Sequence, residues 1–290
     1  MTEVIIYSIA TISLLGIISA IILNITASKF KVYEDPRIDE VEAVLPAANC
    51  GGCGYAGCRN FAEACVQSES LDNLKCPVGG NDTMSAIGKI LGIETTLGTP
   101  LVAVVRCNGT PEHRAKLNSY DGAANCTIEA ALYRGETACQ YGCLGHGECV
   151  DACDFGAMYM DPLTKLPIVI DSKCTACGAC VKACPRNIIE LRKKNNKDRK
   201  IYVSCINEDK GVIAKNTCKV ACIGCTKCEK VCNFNAITIR NFLAFIDSEK
   251  CTLCRKCVSE CPTNSILEFN FPPRKIKPET TSETKTDNIN

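Results

Sequence analysis

Three stretches of the chain repeat one cysteine spacing, C-x2-C-x2-C-x3-C. They are "CTACGACVKAC" (Cys174, Cys177, Cys180, Cys184), "CIGCTKCEKVC" (Cys222, Cys225, Cys228, Cys232) and "CTLCRKCVSEC" (Cys251, Cys254, Cys257, Cys261). No other feature limits the fold as strongly. Three thiolates of such a run wrap one cubane [4Fe-4S] cluster and the fourth reaches a neighbouring cluster, so the runs are expected in pairs. A zinc site of four cysteines needs no such run. Short β-rich pieces, "NAITI", "FLAFID" and "NSILEF", lie after the runs, as compact ferredoxin hairpins require.

With 25 cysteines in 290 residues, the chain must rely on disulfides or on metal. The first apolar run, residues 4–27, is uncharged and long enough to cross a bilayer as a helix. An uncleaved signal peptide is the alternative, but no basic segment precedes the run. Only Glu3 lies before it, whereas Lys29, Lys31 and Arg37 follow, which places the rest of the chain on the cytoplasmic side. That compartment is reducing and favours metal. Within the span, Gly16 and Ala20 offer a small-residue face for helix packing. The net charge of +1 excludes a global basic footprint for nucleic acid. With no tryptophan and few aromatics, metal more than a large core is expected to organise the soluble part.

After a polar linker, residues 28–42, comes "LPAANCGGCGYAGCRNFAEAC", which opens a domain expected over residues 43–95. Cys50, Cys53 and Cys58 in a glycine-rich loop, with Cys76 before a proline, supply the four thiolates of one cubane. Glycines let backbone N–H groups approach the sulfurs. Four-cysteine zinc is the competing reading. Gly52, Gly54 and Gly57 match G-x-G-x-x-G, but no apolar strand precedes them, so a dinucleotide site is discarded. Cys65, on a helix-like stretch, reads as a small buried residue.

An internal repeat at an offset of 79 aligns Cys126 with Cys205, Cys139 with Cys218, Cys143 with Cys222, Cys149 with Cys228 and Cys153 with Cys232. His146 falls on Cys225. The Cys174 and Cys251 runs match at an offset of 77, where "VIDSKC" resembles "FIDSEKC". Two tandem ferredoxin modules are therefore expected, residues 139–192 and 218–270, with connecting segments at 96–138 and 193–217. In the first, the missing ligand comes from Cys139 or from His146; thiolate is the usual cubane ligand, which favours Cys139. Crossed ligation then groups Cys139, Cys143, Cys149 with Cys184; Cys174, Cys177, Cys180 with Cys153; Cys222, Cys225, Cys228 with Cys261; and Cys251, Cys254, Cys257 with Cys232. Cys107, Cys126, Cys205 and Cys218 stay unassigned as buried thiols, reversible pairs or a further metal site. Residues 271–290 read as a disordered tail.

The single N-terminal span, "LPAANCGGCGYAGC", "CQYGCLGHGECVDAC" and the ferredoxin runs together resemble the B subunit of the Rnf complex over nearly the whole chain. The first element is also similar to a cluster domain of corrinoid iron-sulfur proteins. The Rnf resemblance implies an iron-sulfur subunit of a membrane complex that passes electrons from reduced soluble ferredoxin to NAD+ and couples this to Na+ or H+ translocation. It further implies other membrane subunits as partners. The second module resembles the extended form found in anaerobes.

No nucleotide fingerprint, catalytic triad or carboxylate pair stands out, and His113 and His146 are too few for a conventional metalloenzyme site. NAD+ chemistry is expected on a partner. The expected architecture is α+β, with one transmembrane helix contacting lipid through residues 4–27, a small 4Fe-4S domain and two bacterial-type two-cluster ferredoxin modules. It would hold five [4Fe-4S] clusters at low potentials, on the order of −400 mV. The expected location is the inner or plasma membrane. A stand-alone membrane-anchored polyferredoxin that stores or relays electrons is the alternative.

Overall fold

The computed structural model describes residues 2–29, 34–96, 98–132 and 134–273. The expected disordered tail lies outside the described residues from 274 onward. Helix α1, Thr2–Lys29, is apolar on every side. Its window Ile9–Thr26 has a mean hydropathy of 2.2, and none of that window is covered by the rest of the chain. Both threonines in it turn back on the helix: Thr11 Oγ1 donates to the Tyr7 carbonyl at 3.0 Å and Thr26 Oγ1 to that of Ile22 at 2.8 Å. In hydrocarbon such back-bonding satisfies hydroxyls that water cannot reach.

Three helices, α2 (Arg37–Val44), α3 (Cys58–Gln67) and α4 (Gly80–Leu91), build the next unit. Ile38 and Val41 of α2 are buried with Phe61, Leu71 and Ile87, so part of the expected linker belongs to this core. Burying a side chain such as Phe61 contributes roughly 1.5–3 kcal/mol. Arg59 of α3 binds Glu42 at 2.7 Å and Asp39 at 3.1 Å, and also reaches Glu34, which pins α2 to α3. Helix α4 stops at Gly92, whose φ of +70° is the left-handed conformation a glycine adopts without penalty.

The remainder is built from small antiparallel ribbons and helices of only one or two turns. Strand β1 (Leu101–Val105) is followed by α5 (Cys126–Leu132), α6 (Glu148–Asp151), β2 (Met158–Met160), β3 (Pro167–Val169), α7 (Ala179–Ala183) and β4 (Ile189–Lys193). Then come β5 (Lys200–Val203), α8 (Gly211–Thr217), α9 (Lys227–Lys230), β6 (Ile237–Arg240), β7 (Leu243–Ile246), α10 (Lys256–Glu260) and β8 (Ile266–Phe269). Strand β1 pairs with β4, Val105 opposite Ile189, and β5 with β8, Val203 opposite Ile266. Hairpins β2–β3 and β6–β7 lie between them.

The segments read as connecting, 96–138 and 193–217, therefore contribute the first strand of each ribbon. Local periodicity does not reveal these strands, because each pairs with a partner more than 60 residues later. The two halves are stitched by buried cations. Arg192, 5% exposed, donates to the Ile246 carbonyl at 2.7 Å and lies over the Phe245 ring at 5.2 Å. Lys200 pairs with Asp171 at 2.6 Å.

Candidate iron-sulfur sites

The three-residue loop pitch of the cysteine runs is set by left-handed residues on either side of the middle position. Ala176 and Gly178 flank Cys177, Gly224 and Thr226 flank Cys225, and Leu253 and Arg255 flank Cys254, all with φ between +58° and +80°. Gly145 and Gly147 flank His146 in the same way, at +88° and +90°. Each pair bends the loop so that successive side chains converge. Small helices α6, α7, α9 and α10 then carry the last loop cysteine inward: Cys149, Cys180, Cys228 and Cys257 are all buried.

Four cavities result. Cys153, Cys174, Cys177 and Cys180 line one, and Cys232, Cys251, Cys254 and Cys257 line its counterpart. Cys222, Cys225, Cys228 and Cys261 line the third. The fourth is lined by Cys126, Cys143, Cys149 and Cys184. Apart from Glu148 at the last, no carboxylate or imidazole lines these cavities. Among the described residues, no three His, Cys, Asp or Glu side chains converge tightly enough to share a single ion. Four thiols around one cavity match the ligand count of a cubane.

Cysteine spacing points to Cys139 or His146 for the fourth set, and the structure puts Cys126 there instead. Cys126 opens α5, and the backbone N–H groups of Glu148, Gly147 and His146 point at its sulfur. His146 turns its Nε2 to the buried carboxylate of Glu129, away from the cavity. Cys139 lies elsewhere, 3.8 Å from Asn207 Nδ2. The pairing of Cys126 with Cys205 in the repeat is likewise corrected. Cys107 follows β1 by two residues, as Cys205 follows β5, so these two are the equivalents. The stretch from Cys107 to Cys139 is longer than that from Cys205 to Cys218, and the surplus carries α5 and Cys126.

In the three-helix unit, Cys53, Cys58 and Cys76 pack on the core beside Phe61 and Leu71, while Cys50 heads the loop. Asn49 Oδ1 accepts from the Cys58 N–H at 2.8 Å and fixes the start of α3. Gly52 touches the next site directly: a Cβ there would lie 2.8 Å from the Cys177 carbonyl oxygen and 3.1 Å from its Cα. Cys65 is fully buried in the helical core, and burial pushes its thiol up to about 12.

Sulfur atoms at three of the sites receive hydrogen bonds, from Gly79 N–H to Cys76 at 3.3 Å, Ala103 to Cys174 at 3.5 Å, Ala157 to Cys153 at 3.4 Å and Ala244 to Cys222 at 3.4 Å. Ser265 Oγ lies 3.2 Å from Cys261 Sγ. Gly79 and Gly147 supply glycine N–H groups to sulfur, and strand and turn backbone supplies the others. Burial pushes the Cys149, Cys228 and Cys257 thiols up to about 12, with neighbouring cysteines adding to it.

Three family models match: "Putative Fe-S cluster" over residues 45–78, "4Fe-4S binding domain" over 167–190 and "4Fe-4S dicluster domain" over 221–265. Among curated proteins, the chain is 43% identical to the B subunit of an ion-translocating oxidoreductase complex of Methanosarcina acetivorans, over 92% of this chain and 99% of that one. The chain belongs to the family of B subunits of Rnf-type ion-translocating oxidoreductase complexes. Two further relatives carry more specific names. The B subunit of a Na+-translocating ferredoxin:NAD+ oxidoreductase complex of Acetobacterium woodii is 42% identical over 92% of this chain and 78% of its own. A proton-translocating counterpart from Clostridium ljungdahlii is 37% identical over 88% and 89%. Within this Rnf-type chain, the matched models fall on the three-helix unit and on the two ribbons that carry the cysteine runs.

Proposed function

We propose that this chain is the iron-sulfur electron-relay subunit of a membrane ferredoxin:NAD+ oxidoreductase coupled to Na+ or H+ translocation. It takes electrons from reduced soluble ferredoxin and passes them to membrane partners. Helix α1 anchors it in the inner or plasma membrane through residues 4–27, with the cysteine-rich part on the cytoplasmic side as the flanking Lys29 and Arg37 direct. Residues 101–193 and 200–269 form tandem ferredoxin modules. Cys50, Cys53, Cys58 and Cys76 hold one [4Fe-4S] cluster, and the four cavities hold one each, with Cys126 taking the place of Cys139. Such clusters, when bound, supply one-electron transfer at low potential.

The chain's own groups do the rest. Cysteines hold the iron, backbone N–H groups stabilise charge on the sulfurs, and the surrounding apolar residues keep water out. The carrying observation is the backbone contact of Gly52 with Cys177, which brings the first cysteine loop against the Cys174–Cys184 run with no side chain between them. Series placement of this kind suits a conductor more than a store. Gentle solubilisation of native membranes is expected to recover the chain with several integral subunits. Migration alone, with clusters that reduced ferredoxin does not reduce, would favour the free polyferredoxin.

A further inference from the structure

Four cysteines remain besides Cys65, and the fold brings them to one place. Cys107 and Cys205 follow the equivalent strands β1 and β5, while Cys139 and Cys218 stand four residues ahead of the equivalent Cys143 and Cys222. Each module thus contributes the same two positions. Cys139, Cys205 and Cys218 are buried in one apolar cluster. Asn207, 1% exposed, ties them together: its N–H donates to Cys205 Sγ at 3.4 Å, while its Nδ2 reaches Cys139 Sγ at 3.8 Å and Thr217 Oγ1, beside Cys218, at 3.5 Å. Cys107 is near enough to Cys139 and Cys218 for their charges to interact. Arg106, its neighbour, donates to the Cys205 carbonyl at 3.1 Å across the junction.

An independent observation comes from Arg114. Its backbone bridges that of Cys218, and its Nη1 donates to the Cys143 carbonyl at 2.7 Å. The side chain is 7% exposed, its Nε has no hydrogen-bond partner, and among the described residues no carboxylate pairs with it. A buried guanidinium without an anion is costly, and a tetrathiolate cluster beside it supplies the missing negative charge. The same reasoning disfavours four neutral thiols at this place.

We propose that Cys107, Cys139, Cys205 and Cys218 hold a sixth [4Fe-4S] cluster at the junction of the two modules, with Arg114 as its buried countercharge. It rests on reading the other five sets as cluster sites. The location adds meaning to that reading. Cys107 borders Cys143 on one side, and the Cys222 backbone N–H points at Cys205 on the other. A cluster here stands between the Cys143 site of one module and the Cys222 site of the other, and 24 of the 25 cysteines become ligands, leaving Cys65 in the helical core.

Metal analysis of the full chain, purified without oxygen, tests this directly. Iron and acid-labile sulfide are expected at about 24 of each per chain. The Cys139→Ser, Cys218→Ser double variant is expected to fall to about 20. Wild-type protein with about 20 iron, with or without one zinc, would overturn the sixth cluster and leave the other five standing. Iron far below about 20, with zinc in its place, would sink the wider reading as well. Should the double variant not fold, Arg114→Gln provides a second readout. It is expected to keep its iron and to move two clusters to more negative potential, the Cys143 one and the junction one, and a shift confined to a single cluster, or none, counts against the proposal.

Discussion

His146 shows how one substitution is absorbed. The loop around it keeps the left-handed residues of its three relatives, so the chain path is retained while the ligand is lost. Cys126, from an inserted helix, lines the cavity in its place and is the ligand proposed there, and Glu129 of the same helix holds the imidazole. Cys126→Ala is therefore expected to strip or degrade one cluster, giving a three-iron signal in electron paramagnetic resonance, while His146→Ala keeps its full iron content. The reverse pattern would return the ligand role to the histidine. Strain at a single residue gives a second test. Thr226 is β-branched yet sits at φ +63°, where Gly147 and Gly178 occupy the matching place in other loops. Thr226→Gly is expected to stabilise the loop by roughly 0.5–1 kcal/mol and raise the temperature at which the clusters bleach. An unchanged or lower midpoint would show that the loop relaxes without help.

Between elements, the loop of Cys50–Cys58 meets the Cys174–Cys184 run backbone to backbone. Gly52→Ala puts a methyl group where the Cys177 backbone already stands, and backbone cannot swing aside as a long side chain can. The loops must part. The expected result is unchanged iron with slower electron exchange between the first domain and the first module, measured by rapid reduction and freezing. Exchange at the wild-type rate would place the electron path elsewhere. How much of these elements can be read from sequence follows from range. The grouping of the run cysteines around common cavities, the apolar span and the burial of Cys65 follow from local patterns, and they are legible. Strands β1 and β5 are not, because "LVAVV" and "KIYV" find partners far along the chain. The misplacement of Cys126 has the same origin: aligning cysteines by one offset conceals an insertion, whereas aligning the two strands, each followed by a cysteine, exposes it.

At the scale of the whole molecule, stability beyond the three-helix unit is expected to depend on metal, because helices of four to seven residues and strands of three to five do not persist alone. The thiols give that dependence a sign. In the metal-free fold, Cys149, Cys205, Cys228 and Cys257 have pKa values pushed up to about 12 by burial first and by neighbouring cysteines second, against 9.0 for the ordinary thiol. Between these values the unfolded chain has lost its thiol protons and the folded one retains them. Stability from these groups is thus fully present below pH 9 and is lost as pH rises toward 12. Cluster-loaded protein should behave oppositely, since iron requires thiolates and protons compete with it, so acid strips the clusters. Urea titration of the metal-free chain at pH 7.5, 9 and 10.5 is expected to show a falling midpoint, while the rate of iron loss to a chelator from the loaded chain rises as pH drops from 8 to 6. A metal-free midpoint that holds steady up to pH 10.5 would mean that the thiols are solvated before metal arrives, and that the sites assemble around iron instead of awaiting it.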